Sequence, residues 1–378
     1  MRDLKDIRVE IDQVDKEILG LFTKRMELAC QVAEYKIATG KKVYDKARED
    51  EKLEKLSSYV DDVFSQQAVK ELYTQIMSIS RKKQFSILRA NGVNFESGFQ
   101  QVDDFDFSNS TVCFQGVQGA YSQLAMNAFF ENKMKDSFHV DTWRDAMDAI
   151  KNGRADYAVL PIENSLAGSI EENFDLLSEY NVAIIGEQIL QVNHALLGVK
   201  GAKISDIKTV YSHPKAIAQC DEYIRTKHMD WDVKNLHNTA VSAQKIRDDG
   251  DVTQAAIGSE YNAVLYDLDV LDSGIQDNKN NETRFVIVSN EKKYKKDANQ
   301  IGLCVEISHE PGSLYRILSN LMFNGINMNR IESRPIKGVN WQYRFFIDID
   351  GNLNDEAVRN ALIGLQEECV SLRVLGNY

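Results

Sequence analysis

The sequence predicts a multidomain protein with an all-α three-helix segment, a two-lobed α/β segment, and a last α+β segment of βαββαβ order. Three observations carry this reading. Leu4, Ile7, Ile11, Val14, Ile18, Leu21, Leu28, Val32 and Tyr35 fall on an unbroken 3-4 spacing, the seam of one long helix from Leu4 to about Thr39. From Thr111 the rhythm changes to short strands alternating with amphipathic helices, as in a doubly wound parallel sheet. After Asn299, six elements read strand, helix, two strands, helix, strand.

Composition narrows the function classes. A chain of 378 residues, 43% hydrophobic and 27% charged, is long enough for two or three domains with substantial cores. Its formal charge of −12, with no long block of Lys or Arg, argues against nucleic-acid or anionic-membrane binding and fits a small anionic ligand held by isolated cations. The five cysteines are scattered, odd in number and never form C-x-x-C, so they read as reduced core residues. Six histidines show no metal-ligand spacing, and no metal is expected. The chain opens on an amphipathic helix without a leader and holds no apolar run of about 18 residues, so a cytoplasmic location is expected.

In the first helix, Arg25 interrupts the apolar seam. A guanidinium there needs an anion, or it snorkels outward or pairs with a helix neighbour such as Glu27 or Glu34. Arg8 and Lys36 flank the same seam. After a break at Gly40, Asp45-Lys46-Ala47-Arg48-Glu49 opens a second helix at about 46–59, and a third at about 62–88 carries Ser80 and Gln84 one turn apart. Arg8, Arg25, Lys36, Asp45, Arg48, Glu49, Ser80 and Gln84 match an active-site pattern residue by residue, and residues 1–90 resemble the all-helical chorismate mutases. The resemblance implies carboxylate binding by Arg8, Arg25 and Arg48, and donation to the substrate's ether oxygen by Lys36 and Gln84. Glu49 and Asp45 would engage the substrate hydroxyl or orient Arg48 and Lys36, and Ser80 would add a hydrogen bond. It also implies a homodimer or higher homo-oligomer in which long helices intertwine and Arg8 serves the other chain's site.

Residues 91–109, rich in Asn, Gly, Ser, Asp and Gln without a period, read as a linker. The segment 110–290 shows strands at 111–114, 139–142, 157–162, 183–185, 209–211, 232–236 and 255–257, and the run 188–199 reads as a crossing between lobes. Polar loops recur at the strand ends: 164–169, Ser212-His213-Pro214, Asn238-Thr239 and 280–285. The first three precede helices, whose N–H groups and dipoles favour anions, although Ser, Thr and Asn there also read as ordinary N-caps. The Gly116 to Gly119 turn lacks G-x-G-x-x-G, so no nicotinamide cofactor is expected.

Gly116-Val117-Gln118-Gly119-Ala120-Tyr121-Ser122, Pro161-Ile162-Glu163-Asn164-Ser165 and Thr283-Arg284-Phe285 give this segment its resemblance to the prephenate dehydratases. Val117 stands where many relatives have proline. The resemblance implies a two-lobed, periplasmic-binding-protein-like fold, a catalytic role for Thr283 and carboxylate binding by Arg284. Substrate contacts are expected from Asn164, Ser165, Ser212, Asn238, Thr239 and Phe285. A threonine hydroxyl is a poor free acid, so Thr283 must act through hydrogen-bonded geometry or a relay, with Glu163 or His213 as candidate partners.

The last segment, 299–378, shows strands at 302–307, 329–334, 343–349 and 371–374, with helices at Ser313–Phe323 and 355–368. Through Pro311-Gly312-Ser313-Leu314 and Glu332-Ser333-Arg334-Pro335 it resembles the ferredoxin-like ACT regulatory domain, with Ser313 in place of a common alanine. That resemblance implies phenylalanine as effector, bound by Gly312, Ser313, Leu314, Glu332, Ser333, Arg334 and Pro335. Together the resemblances imply a bifunctional enzyme that takes chorismate through prephenate to phenylpyruvate without cofactor or metal, under phenylalanine feedback. A mutase joined to prephenate dehydrogenase is opposed by the missing dinucleotide fingerprint. A ligand-binding regulator without catalysis is opposed by the complete set of site residues.

Overall fold

The apolar stripe of the first segment forms one helix, α1 (Leu4–Thr39), N-capped by Asp3 and ended by Gly40 in the left-handed conformation at φ 66°. α2 (Lys46–Ser57) follows the Asp45 cap and α3 (Val63–Ala90) the Asp62 cap. These elements come from a computed structural model, which describes residues 2–93 and 95–378. Met1 and Asn94, the latter within the expected linker, lie outside the described residues. The α1 seam is not buried as the heptad pattern suggests. Leu4, Ile11, Val14, Ile18, Leu21, Leu28, Val32 and Tyr35 are exposed, while Ala29 and Ala33 are buried. The seam faces away from α3: Leu28, Val32 and Tyr35 are exposed on the same turns whose Arg25 and Ala33 meet Ser80 and Phe85 of α3.

The α/β segment folds into two lobes within one compact unit. β1 (Gln100–Val102), β2 (Thr111–Gln115), α4 (Tyr121–Phe130), β3 (Asp136–Val140), α5 (Trp143–Lys151), β4 (Tyr157–Asn164), β5 (Gly168–Ser169), α6 (Glu171–Glu179) and β6 (Ala183–Gln191) come first. The chain then crosses to β7 (Ala195–Gly198), β8 (Thr209–Ser212), α7 (Pro214–Ala218), α8 (Asp221–Lys227), β9 (Asp232–Asn235), α9 (Thr239–Asp249), β10 (Gln254–Gly258), α10 (Glu260–Tyr266) and β11 (Asp269–Ser273). It returns through β12 (Glu282–Ser289) and β13 (Lys293–Lys295). The first lobe has strand order β6-β12-β4-β2-β3 and the second β11-β7-β10-β8-β9.

Neither sheet is wholly parallel, as the alternation suggested. β12 runs antiparallel to both β4 and β6, and β7 antiparallel to β10. The returning strand enters the first sheet from the other lobe and therefore against its neighbours' direction. Its polar start hid it in the sequence as a loop, yet Phe285, Val286, Ile287 and Val288 form its buried half. The strand expected at 139–142 ends at Val140, because Thr142 caps α5 in a reciprocal box with Asp145. The expected linker at 91–109 holds structure as well: its β1 pairs in parallel with β13. Gly119 is required at the first turn, since φ is +88° and a Cβ there would collide with Asn262.

The last segment has the expected order: β14 (Gln300–Glu306), α11 (Ser313–Phe323), β15 (Met328–Pro335), β16 (Tyr343–Asp350), α12 (Glu356–Glu368) and β17 (Ser371–Asn377). Its strands lie in the order β15-β16-β14-β17. This segment shares a core with the helices, Ala33, Val43, Phe85 and Leu88 packing with Ile363 of α12. The chain accordingly forms two compact units: one runs to Ser97 and includes Asn299–Val374, and the other comprises Gly98–Ala298 with Leu375–Tyr378. All five cysteines are free, and burial pushes the thiols of Cys113 and Cys220 up to about 12. No helix among the described residues is long and apolar enough to cross a membrane.

Candidate functional site

Within the helical segment, the anomalous Arg25 finds its partners on α3. Its Nη1 donates to the Ile76 carbonyl at 3.2 Å and to Ser80 Oγ. Burial lowers the Arg25 pKa, and Tyr73 and Glu49 oppose that shift, so the offsetting carboxylate comes from α2 rather than from Glu27 or Glu34. Lys36 donates to the Val43 carbonyl at 2.6 Å. Burial lowers its pKa too, against Glu367, Asp45 and Glu49. Lys52, which the sequence reading missed, is pushed down by burial and then by Arg25 and Arg48, with Glu49 opposing. Glu49 is thus the anion common to all three cations.

Ser80 and Gln84 are buried on the same face of α3, and Gln84 Oε1 has no hydrogen-bond partner among the described residues. An unpaired buried amide oxygen is costly and calls for a donor, while the Gln84 Nε2 is the atom that can donate to a ligand oxygen. Asp45 is engaged as the α2 cap, accepting from the Arg48 N–H at 3.1 Å. Two expected cations make no pair with Glu49. The Arg48 guanidinium pairs with Glu51 at 2.8 Å on the exposed face. Arg8 is exposed near the start of α1, roughly 26 Å from Arg25 at ~1.5 Å per residue.

The sequence reading also missed Arg81, whose side chain is only 3% exposed. Its Nη1 donates to both Glu49 oxygens, at 2.6 and 2.5 Å, while Nε and Nη2 donate to Glu368 Oε1 at 3.0 and 2.8 Å. Burial opposes its charge, but Glu368 and Glu49 outweigh that and hold its pKa above the usual value. The available signal was a cation in the buried stripe Met77, Ser80, Arg81, Gln84 and Phe85 of α3.

In the α/β unit, a cavity of about 450 Å³ is lined from both lobes by residues including Tyr121, Asn164, His194, His213, Gln219, Asn238, Thr239, Thr283 and Phe285. At its centre, the Asn164 amide is fixed by its bonds. Its Oδ1 accepts from the Leu166 and Ala167 N–H groups at 3.1 and 2.9 Å, so Nδ2 faces Thr283 Oγ1 at 3.0 Å. Because Thr283 accepts there, its own O–H remains available to donate. Asn238 caps α9, leaving that helix N-terminus on the cavity wall beside Thr239.

Other expected residues are occupied elsewhere. Arg284 alternates away from Thr283 and Phe285 along β12; its Nε donates to Glu187 Oε2 at 2.6 Å and its Nη2 to Tyr378 Oη at 3.2 Å. Ser212 is fully buried and donates to the Ile257 carbonyl at 2.7 Å, tying β8 to β10. Ser165 Oγ donates to the Asn280 carbonyl at 2.9 Å. Of the two relay candidates, His213 lines the cavity and Glu163 is absent from its lining. A further chain escaped the sequence reading: Tyr121 Oη lies 3.4 Å from His194 Nδ1, and His194 Nε2 is 2.8 Å from Gln219 Oε1. Burial lowers the His194 pKa, although the Gln219 hydrogen bond opposes it.

The βαββαβ segment holds a cavity of about 270 Å³ lined by Gly312, Ser313 and Leu314 together with Glu310, Tyr343 and Phe345. The second expected motif, Glu332 to Pro335, lies on edge strand β15, outside that lining, with Ser333 paired in register to Phe345.

Two family descriptions match this chain: "Chorismate mutase type II" over residues 7–85 and "Prephenate dehydratase" over residues 112–293. A bifunctional chorismate mutase/prephenate dehydratase of Buchnera aphidicola is 32% identical, covering 98% of this chain and 95% of that protein. The same-named protein of Enterobacter agglomerans is 31% identical over 98% of this chain and 95% of its own length. Among solved structures, the prephenate dehydratase from Arthrobacter aurescens in complex with L-Phe is 31% identical with a TM-score of 0.65, covering 71% of this chain and 89% of that one.

Proposed function

The chain belongs to the bifunctional chorismate mutase/prephenate dehydratase family, and on that premise we propose which residues perform each step. It rearranges chorismate to prephenate and converts prephenate to phenylpyruvate with loss of CO2 and water. Residues 1–90 carry the first reaction and 110–290 the second, joined by 91–109, and 299–378 form an ACT-type effector segment.

The first step is pericyclic. It transfers no proton and requires a dianion held in a folded conformation with positive charge near the breaking ether bond. Arg25 binds a carboxylate, and Lys36 and Gln84 donate to the ether oxygen. Glu49 takes the ring hydroxyl, Ser80 holds Arg25, and Asp45 orients Arg48. The observation that supports this most is the convergence of Arg25 and Lys36 on Glu49, with Gln84 buried one turn from the Arg25 partner Ser80. Arg8 and Arg48 add carboxylate contacts in the assembled enzyme. The exposed apolar stripe of α1 supports a homodimer in which Arg8 enters the partner's site.

In the second step the ring hydroxyl leaves as water while CO2 departs and the ring becomes aromatic. Thr283, accepting from Asn164, donates its O–H toward that leaving oxygen. The α9 N-terminus and Thr239 attract a substrate carboxylate, Asn238 presents that helix, and Phe285 supplies an apolar wall. Ser165 and Ser212 secure the surrounding loops and strands. Arg284 exerts its influence through the Glu187 pair unless substrate draws it away.

Phenylalanine binds the βαββαβ segment at Gly312, Ser313 and Leu314, with Glu332, Ser333, Arg334 and Pro335 contributing from the edge strand. Five free cysteines support a reducing, cytoplasmic setting. Purified protein given chorismate should form prephenate and then phenylpyruvate, with the second step slowed by phenylalanine. Calorimetry should register phenylalanine binding; neither inhibition nor heat at millimolar phenylalanine would remove the effector assignment.

A further inference from the structure

We propose that Arg81 is a positioning residue of the mutase site, and that Glu368 of the C-terminal segment completes that site by anchoring Arg81. The inference rests on the reading of Glu49 as the carboxylate that meets substrate.

The geometry is a carboxylate, guanidinium, carboxylate sandwich. One Arg81 nitrogen holds both Glu49 oxygens, and the other two donate to a single oxygen of Glu368. Glu368, with its side chain 2% exposed, is itself fixed by Asn320 Nδ2 at 2.8 Å on its second oxygen. Arg81 is held from a third direction by the Tyr44 ring, 4.9 Å from its guanidinium carbon, and Tyr44 is anchored by its N–H to Glu367 Oε2 at 2.8 Å. Glu49 is the more exposed end of the sandwich, at 21% against 3% for Arg81. The buried end is therefore the support and the open end the working group.

The charge count gives the arrangement its purpose. Glu49 lies among Arg25, Lys36 and Lys52, any of which could draw a free carboxylate into a direct pair and block the site for an anionic substrate. Arg81 occupies both Glu49 oxygens from the α3 side and fixes the carboxylate direction. Without Glu368, the Arg81 Nε and Nη2 N–H groups would be buried without an acceptor, and the guanidinium would turn to satisfy them and shift Glu49. A site built on α1, α2 and α3 thus takes its last fixed point from α12.

Full-length variants test this through chorismate turnover. Arg81→Lys keeps charge but loses the fork, and Glu368→Gln keeps shape but loses charge. Each should lower mutase kcat/KM by about tenfold or more, more in kcat than in KM. Dehydratase kcat/KM on added prephenate should hold, which also reports that the protein folds. In a Glu49→Gln background, which itself should be slow, Arg81→Lys should cost less than about twofold because its effect passes through Glu49. Equal fractional losses in both backgrounds would make Arg81 merely structural and overturn the proposal, as would full mutase activity in both single variants. Full activity in Glu49→Gln alone would instead overturn the assignment of Glu49 beneath it.

Discussion

In the helical segment the proposed site is a set of charges, Arg25, Lys36, Lys52 and Glu49, on α1 and α2. In the α/β unit the proposed site centres on neutral groups, with Asn164 bound to Thr283 and His194 between Tyr121 and Gln219, and Lys215 is the cation in the cavity lining. The chemistry accounts for the contrast. A pericyclic rearrangement has no proton to move and gains from fixed charge, whereas expelling a hydroxyl needs a donor O–H at one place. A charged site can be assembled from long side chains over a wide area; a donor site needs its neighbours locked one by one.

The sharpest test is a crossed pair of substitutions. Arg25→Ala should cut mutase kcat/KM by about 10²–10³-fold and leave the dehydratase intact. Thr283→Ala should do the opposite, with a dehydratase loss of about 10²-fold or more. Stopped assays on chorismate and on prephenate separately measure both. Loss of both activities in either variant would mean that the two chemistries are not divided as proposed.

The same contrast decides what the sequence made legible. Arg25 stood out because its seam neighbours Leu21, Leu28 and Val32 are apolar, so one cation is an anomaly. Arg81 sits in the buried stripe of α3 but beside Ser80 and Gln84, and a cation among polar residues raises no alarm. Its anchor, Glu368, lies 287 positions away, and periodicity says nothing about such a partner. The α1, α2 and α3 bounds and the βαββαβ order followed closely from pattern and caps. The parallel sheet did not, because β12 begins with Glu282, Thr283 and Arg284 and reads as a loop until its partners are known. Thr283 was legible only through its triplet. The Tyr121, His194 and Gln219 chain was not legible at all, since three separate segments supply it.

A second test concerns reach. If Arg8 acts across a dimer, the mutase depends on assembly through α1 and the dehydratase does not. Ile18→Glu and Leu21→Glu put carboxylates into the exposed apolar stripe. The double variant should sediment as a monomer and lose about tenfold or more in mutase kcat/KM, since orientation by a missing cation is lost. Dehydratase activity should remain. A dimeric double variant, or a monomer with full mutase activity, would break this half of the comparison.

The smallest effect separates the two regions by pH. His194 is buried and its folded pKa lies below the usual value, with burial the main cause and Gln219 opposing. Between that folded pKa and the unfolded value of about 6.5, the unfolded chain binds more protons, so stability rises with pH. The contribution is complete above about pH 6.5 and is lost as pH falls through the folded pKa. His213, depressed by burial and then by Lys215 and His237, acts in the same direction. Replacing His194 with Gln removes one such proton. The pH slope of stability for the α/β unit should then flatten by at most about 1.4 kcal/mol per pH unit between pH 5 and 6.5. Calorimetric unfolding at stepped pH measures it, with the mutase pH profile as the internal reference. An unchanged slope would mean that His194 takes up its proton without disturbing the fold of the α/β unit.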